Sequence, residues 1–240
     1  MRWLLACAAV ACTSTDGPAP PLAPPPRPPP TAAAPTAGAV VLELFTSQGC
    51  SSCPPAERLL RELARDRPDV IALAFHVDYW DDLGWADRFA SPAWTARQEA
   101  YAGRAADRTY TPALIVDGER DVVGSRRDAV LDAIASARRV PLVPADARLD
   151  GDAAVVTAEV PPGSRGVVAI VEDDLATDVT AGENAGAHLL GDRVVRALVP
   201  AGHPTRVPLD RHWRRDRLGA VVLAAAPDGR VVAATRLALR

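Results

Sequence analysis

The chain has 240 residues, of which 48% are hydrophobic and 24% are charged, and its formal net charge is −3 at pH 7. This length allows one large domain or two modest ones, and the composition is that of an ordinary globular protein. The slightly negative charge argues against a nucleic-acid-binding protein, because such a protein needs a basic face to neutralise phosphates. We therefore expect no nucleic-acid partner.

The N-terminus has the features of an export signal. Residues 1–12, "MRWLLACAAVAC", contain one positive residue and then a short apolar run that ends in small residues. The string "AVAC" resembles a bacterial lipobox, in which the cysteine is lipidated, and Cys12 is the expected lipid-bearing residue. This predicts a protein at the periplasmic face of a bacterial membrane or secreted, with membrane contact through the anchor alone. The alternative is a cytosolic chain with an apolar N-terminus.

A proline- and alanine-rich linker follows at residues 13–38. It has no apolar periodicity, so we expect an extended polyproline conformation rather than a packed core. Elsewhere in the sequence no stretch approaches the roughly 20 apolar residues that span a bilayer. The folded region is expected to begin at Ala39.

The next segments predict a strand, a helix and a second strand. "AVVLELF" (39–45) and "DVIALAFHVDYW" (69–80) are apolar runs typical of strands buried on both faces. "PPAERLLRELARD" (54–66) places its leucines on one face, and two prolines occupy the first helical turn. This order predicts a right-handed βαβ unit with parallel strands.

The remaining chain divides near residues 140–145. A helical insertion is expected at 81–108, then a hairpin in "TYTPALIVDGERDVVGS" (109–125) and a helix in "RRDAVLDAIASARR" (126–139). Residues 141–240 alternate short β-type runs with turn dipeptides, which is typical of a β-sandwich. We expect two folded domains, an α/β domain at 39–140 and a small all-β, sandwich-like domain at 141–240.

The candidate chemistry is the Cys50-Ser51-Ser52-Cys53 motif between the first strand and helix. A first cysteine at a helix N-terminus has a thiolate stabilised by amide groups and the macrodipole, so its pKa is expected below about 8.5. Cys50 is thus the expected nucleophile, and Cys53, expected to be more buried, the resolving thiol. A zinc site would need further ligands, and a structural bridge would close an unusually short loop.

Two further features accompany the motif. Thr111-Pro112 precedes a strand, and in the thioredoxin fold a cis-proline at this place in the element order lies against the dithiol. His76 and Asp78 end the second strand, at the sheet edge expected to carry Cys50. His76 is a candidate to deprotonate or stabilise the thiolate, with Asp78 orienting it, or both side chains hold the insertion in place.

Four strings carry a resemblance to a known family: "LELFTSQGCSSCPPAERLL", "FHVDYWDDLGWADRFASPAWTARQEAY", "YTPALIVDG", and, more loosely, "GENAG" with "VVRAL". They resemble the bacterial secreted family catalogued as domain of unknown function 1223. The resemblance covers the chain from Ala39 onward. It implies export and a thioredoxin-like fold with a helical insertion, followed by a small β domain. Glu183 and Asn184 are interpreted as part of a glycine-flanked loop without a function.

We therefore expect an exported thiol–disulfide oxidoreductase whose catalytic residues are Cys50, Cys53, Pro112, His76 and Asp78. The redox-active disulfide takes the place of a cofactor, and the expected partners are protein thiols or disulfides or a redox partner protein. One alternative is a periplasmic copper-binding or delivery protein that holds Cu(I) with Cys50, Cys53 and His76. A second alternative is a non-catalytic thioredoxin-like adaptor.

Overall fold

The structure is a computed structural model and describes residues 38–240. The predicted signal with Cys12, and the linker up to residue 37, lie outside the described residues. In the described part no helix is both long and apolar enough to cross a membrane.

Residues 38–240 form three α-helices and thirteen strands. The helices are α1 (Pro54–Asp66), α2 (Pro92–Glu99) and α3 (Arg127–Ser136). The strands are β1 (Val40–Thr46), β2 (Val70–His76), β3 (Ala113–Val116), β4 (Arg120–Val123), β5 (Ala145–Asp150), β6 (Ala153–Ala158), β7 (Arg165–Glu172), β8 (Leu175–Asp178), β9 (His188–Gly191), β10 (Val194–Pro200), β11 (Thr205–Pro208), β12 (Leu218–Ala225) and β13 (Val231–Ala238).

Eight strands form one mixed sheet in the order β13-β12-β7-β10-β2-β1-β3-β4. β1 and β2 are parallel and buried along their whole length, which confirms the predicted βαβ unit. β3 runs antiparallel to β1 and forms the predicted hairpin with β4. The fold is therefore mixed α/β, with a large sheet and few helices.

The predicted second strand, residues 69–80, is longer than the observed one. β2 ends at His76, whose carbonyl accepts a hydrogen bond from the Ser91 amide. The following residues turn into the insertion, where residues 81–83 form a short 3₁₀ helix and α2 spans only Pro92–Glu99. The insertion is therefore only partly helical.

The sheet is covered on both faces. α1 and α3 pack on one face, and Leu60 and Leu63 of α1 are buried there, as the amphipathic pattern predicts. On the other face Phe45 and Phe75 pack against Trp94 and Tyr101 of the insertion. A third cluster lies between two layers. One layer is the separate three-stranded sheet of β5, β6 and β11, and the other consists of β7, β12 and β13 of the large sheet.

The shared sheet changes the two-domain expectation. β10 pairs in parallel with β2, so strands from 39–140 and 141–240 are hydrogen-bonded neighbours in one sheet. A sandwich-like packing does exist around the third cluster, but one of its layers continues into the sheet of the N-terminal half. Residues 141–240 are therefore not a separate β-sandwich.

Candidate functional site

The candidate site lies at the edge of the sheet where β1 and β2 end. Thr46 and His76 are partners in the parallel register, and Ala113, the residue after Pro112, pairs with Phe45. The Thr111–Pro112 peptide bond is cis, as the resemblance to thioredoxin-like sites predicts. This edge brings together the chain leading into the cysteine motif, the end of β2 and the start of β3.

Cys50 and Cys53 form a disulfide, with their Cα atoms 5.4 Å apart. α1 begins at Pro54, so Cys53 caps the helix, and Cys50 lies in a turn closed by a 3.1 Å bond from the Cys53 amide to the Cys50 carbonyl. The expectation that Cys50 itself occupies the helix N-terminus is therefore wrong by about one turn. Both cysteines have 0% exposure, so the expected difference in burial is also absent between them.

His76 is buried at the end of β2, and its ring is hydrogen-bonded to a carboxylate of the insertion. Its Nδ1 lies 2.6 Å from Oδ2 of Asp87, which is also buried. Burial opposes the charge on His76, but Asp87 outweighs it and raises the pKa of His76. Burial likewise opposes the charge on Asp87, but His76 outweighs it and lowers the pKa of Asp87. The two side chains form a buried ion pair.

Glu57 adds a second carboxylate to this buried cluster. The Thr46 hydroxyl donates a 2.6 Å hydrogen bond to Oε1 of Glu57. Burial raises the pKa of Glu57, and the charge on His76 partly offsets that effect. Glu57 and His76 line one narrow pocket, and Glu57 lies one helical turn after Cys53 on α1. Buried ionisable groups from α1, β2 and the insertion thus form one cluster at this edge of the sheet.

Asp78 has a structural position. Its carboxylate accepts a hydrogen bond from the Thr95 hydroxyl, and its main-chain amide donates a 3.2 Å hydrogen bond to that hydroxyl oxygen. Thr95 lies on α2, so Asp78 anchors the insertion to the end of β2. These contacts match the second interpretation of Asp78, as a residue that holds the insertion. They do not join it to the histidine.

Trp80 connects the insertion with the proline loop. Its Nε1 donates a 2.8 Å hydrogen bond to the Thr111 hydroxyl, directly before the cis-proline. A Cβ placed on Gly49 would lie 3.2 Å from Cβ of Trp80, so this side chain packs closely on the residue before Cys50. Trp80 therefore spans the two segments that border the disulfide.

Gln48 is a buried residue with several hydrogen-bond partners, and no sequence motif predicted its position at the site. Its amide donates to Oδ2 of Asp87 at 2.8 Å, and its side chain donates to the Thr177 hydroxyl at 2.9 Å. Its Oε1 accepts a 3.3 Å bond from Nε1 of Trp85. Gln48 thus links the turn before Cys50 to the insertion and to β8 of the C-terminal half.

The loop between β8 and β9 lies directly on the cysteine motif. Nδ2 of Asn184 donates to the main-chain carbonyls of Gln48 and Cys50, at 2.8 and 3.0 Å. Oε2 of Glu183 accepts a 3.0 Å bond from the Ser51 amide. The interpretation of "GENAG" as a loop without a role at the site is corrected by these contacts. We call residues 182–186 the covering loop.

The position of Glu57 at the site could have been predicted from the sequence. Glu57 shares the buried face of α1 with Leu60 and Ala64, three and seven residues later, and a carboxylate on an apolar face marks a candidate site. The positions of Asp87 and Asn184 at the site could not be predicted from local sequence patterns, because their contacts join segments far apart in the chain.

Cys50, Cys53 and His76, the expected Cu(I) ligands, do not form a three-ligand site in this structure. Within residues 38–240, the His, Cys, Asp and Glu side chains form no group of three or more that could hold a metal ion. Cys50 and Cys53 are joined to each other, and the Nδ1 atom of His76 faces Asp87.

Two solved structures are similar to this chain. A crystal structure of a protein from Agrobacterium tumefaciens is 30% identical, with a TM-score of 0.65, and the match covers 85% of this chain and 96% of that chain. HBP35 of Porphyromonas gingivalis is 12% identical, with a TM-score of 0.58, and covers 86% of this chain and 77% of that chain, which is a likeness of fold alone. The comparison with curated proteins found no match.

The family comparison agrees with the resemblance seen in the sequence. Its match runs from residue 41 to residue 225, and so includes both the cysteine motif and the covering loop. Over the same span the structure joins the two halves through one sheet. The chain belongs to the family described as "Protein of unknown function (DUF1223)".

Proposed function

We propose that this protein is an exported thiol–disulfide oxidoreductase with a thioredoxin-like fold. The observation that carries the proposal is the Cys50–Cys53 disulfide, which joins the end of β1 to the start of α1 at the same sheet edge as the cis-Pro112. The order β1, α1, β2, β3, β4, α3 and its strand pairing support the thioredoxin-like assignment. The buried ionisable cluster at the same sheet edge supports a reactive rather than a structural bridge.

The reaction is a pair of thiol–disulfide exchanges. In the reducing direction the Cys50 thiolate attacks one sulfur of a substrate disulfide, forms a mixed disulfide and releases the other substrate sulfur as a thiolate. The Cys53 thiolate then attacks the Cys50 sulfur, closes the Cys50–Cys53 disulfide and releases the second substrate thiolate. Two electrons pass to the substrate, and the protons of the two cysteines are transferred to solvent or to the substrate thiolates. A dithiol protein restores the reduced form by the same two steps.

Exchange at this site requires movement of the covering loop. Both cysteines are fully buried in the disulfide form, and attack on a disulfide needs an approach to one of its sulfurs. The contacts of Glu183 and Asn184 with the motif are hydrogen bonds, which open more easily than a packed core. We place substrate entry on the side of this loop.

Activity of single-cysteine variants tests the proposal. The full chain and Cys50→Ser and Cys53→Ser are compared in insulin-reductase and dithiol-oxidase assays, with trapping of mixed disulfides. Cys50→Ser is expected to abolish turnover, and Cys53→Ser is expected to accumulate a mixed disulfide through Cys50. Full activity in Cys50→Ser would remove the proposal. Tight Cu(I) loading that depends on His76, without turnover in the wild type, would favour the copper-binding alternative.

The proposal includes export and an anchor at Cys12. It is supported by the apolar segment that ends at Cys12 and by the disulfide, since such bonds persist mainly in oxidising compartments. Metabolic labelling with a fatty-acid analogue tests the anchor. Label is expected in the wild type and is expected to be lost in Cys12→Ser. Equal labelling of both forms would contradict this assignment.

A further inference from the structure

Most of the amide groups around Cys50 are already engaged in the disulfide form. The Cys50 amide donates to the Ser47 carbonyl at 3.2 Å, and the Cys53 amide donates to the Cys50 carbonyl at 3.1 Å. The first two helical positions are Pro54 and Pro55, which have no N–H group to offer. The amide groups that stabilise a thiolate at many CxxC sites are therefore scarce here.

Glu183 of the covering loop takes a further amide and brings a negative charge. Its Oε2 accepts the hydrogen bond of the Ser51 amide at 3.0 Å, in the residue that directly follows Cys50. The hydrogen bond from Ser51 lowers the pKa of Glu183, so the side chain is a carboxylate at neutral pH. Asn184 holds the same loop on the Cys50 carbonyl. A carboxylate is thus fixed on the amide of the residue that follows the nucleophilic cysteine.

This carboxylate acts differently on the two redox states. The disulfide is neutral, whereas reduction and ionisation place a negative thiolate on Cys50, one residue before the amide that Glu183 holds. Like charges disfavour the thiolate, so the reduced form is disfavoured at pH values where Cys50 ionises. The Ser52 hydroxyl, 3.2 Å from the Cys50 sulfur, favours the thiolate as a neutral donor, and Glu183 opposes this effect.

We propose that Glu183 is a positioning residue of the dithiol site that stabilises the disulfide relative to the dithiol, and so shifts the site toward donating electrons to substrate disulfides. This inference rests on the proposed function and adds the direction of electron transfer. In that direction the substrate is an oxidised protein disulfide, which gains the two electrons that Cys50 and Cys53 lose. The reductant that restores the dithiol is a second dithiol protein.

The other ionisable groups at this edge are engaged with one another. His76 pairs with Asp87, Asp87 also accepts the amide of Gln48, and Glu57 accepts the hydroxyl of Thr46. A change at Glu183 leaves these bonds in place. Because Glu183 is exposed, its replacement is expected to leave the fold intact.

The test measures the redox equilibrium of the full chain in glutathione buffers, with thiol trapping to quantify the dithiol fraction. Glu183→Gln removes the charge but keeps an acceptor for the Ser51 amide, and Glu183→Ala removes both. We expect Glu183→Gln to favour the dithiol about threefold and Glu183→Ala about fivefold, or about 20 mV. Glu183→Asp is expected to stay near the wild type, as is Glu159→Gln, a change at another exposed carboxylate.

The pH dependence of Cys50 alkylation in the reduced protein gives a second readout. Alkylation is expected to begin at lower pH in Glu183→Gln than in the wild type, which a purely structural role would not produce. Equal potentials and equal alkylation profiles in wild type, Gln and Ala variants would overturn the inference, as would an Asp variant that behaves like Ala. If the wild type itself shows no reversible dithiol–disulfide transition, it is the proposed function that fails.

Discussion

Nδ1 of His76 lies 2.6 Å from Oδ2 of Asp87, and both residues are buried. The same carboxylate oxygen accepts the Gln48 amide, two residues before Cys50. The ion pair therefore joins the end of β2, the insertion and the turn that presents the nucleophile. A change in its charge acts on the stability of all three segments.

Asp87→Asn is expected to destabilise the protein most in mildly acidic solution. His76 has a raised pKa, so its contribution to stability is complete below its unfolded value of 6.5 and is lost as the pH rises through its folded value. Asp87 has a lowered pKa, so its contribution is complete above 3.8 and is lost as the pH falls through its folded value. Breaking a buried pair costs about 3 kcal/mol. Urea unfolding at pH 5 and pH 9 measures this loss.

A matched control exists at an exposed pair of the same type. Nδ1 of His188 lies 2.6 Å from Oδ1 of Asp178, but these side chains are 59% and 83% exposed. Solvent screens such a pair, so Asp178→Asn is expected to change the unfolding free energy little at either pH. A loss of stability by Asp87→Asn at pH 5 that is no larger than the loss by Asp178→Asn would contradict the assignment of a buried charge pair.

Glu57→Gln is expected to slow the second exchange step. Glu57 lies in the first turn of α1, where its amide donates a 3.2 Å hydrogen bond to the Cys53 carbonyl, and its raised pKa suits a group that accepts the thiol proton of the resolving cysteine. The glutamine keeps the shape of the side chain but cannot accept a proton. Quenched-flow trapping of the mixed disulfide is expected to show resolution slowed at least about tenfold. Glu62→Gln serves as the control, because Glu62 is an exposed residue of the same helix that pairs with Arg127 of α3. Equal rates in both variants would exclude this role.

Asn184→Ala is expected to make the disulfide react faster with dithiothreitol. The substitution removes both hydrogen bonds from the covering loop to the Gln48 and Cys50 carbonyls, at 2.8 and 3.0 Å. Two hydrogen bonds at about 1 kcal/mol each correspond to an opening about tenfold or more easier. Stopped-flow reduction measures the rate. A rate unchanged from the wild type would show that the loop does not control access to the sulfurs.

Gly118→Ala tests the contact between the two halves of the sheet. A Cβ on Gly118, in the turn between β3 and β4, would lie 2.6 Å from the Gly229 carbonyl oxygen in the turn between β12 and β13. Gly118 also has a φ of +73°, a conformation that alanine adopts only with strain. We expect a loss of about 3 kcal/mol in urea unfolding.

Gly151→Ala isolates the backbone contribution. Its φ is +61°, but a Cβ there meets nothing within 4 Å among the described residues. It is expected to cost about 1 kcal/mol, from backbone strain alone. If the two alanine variants lost equal stability, the close approach of Gly118 to Gly229 would contribute nothing.

The sequence by itself determined the local elements and the reactive pair. β1, α1, β2 and the β3–β4 hairpin followed from apolar runs, proline positions and turn dipeptides, which depend on neighbours in the chain. The pairing of Cys50 with Cys53 followed from their spacing, because two residues between cysteines leave the sulfurs within reach in one turn. The tail of the second predicted strand failed, since the insertion ends β2 at His76.

Only the tertiary structure decided what surrounds the pair. The covering loop reaches Cys50 across 134 residues of chain, through Asn184, and no local periodicity records such a contact. The shared sheet likewise depends on a long-range contact, the pairing of β10 with β2. The charges on His76 and Glu57 depend on burial and on partners from other elements, which exist only after the segments have packed. The spacing in the sequence determines which cysteines pair, and long-range packing determines which groups lie at the same edge of the sheet.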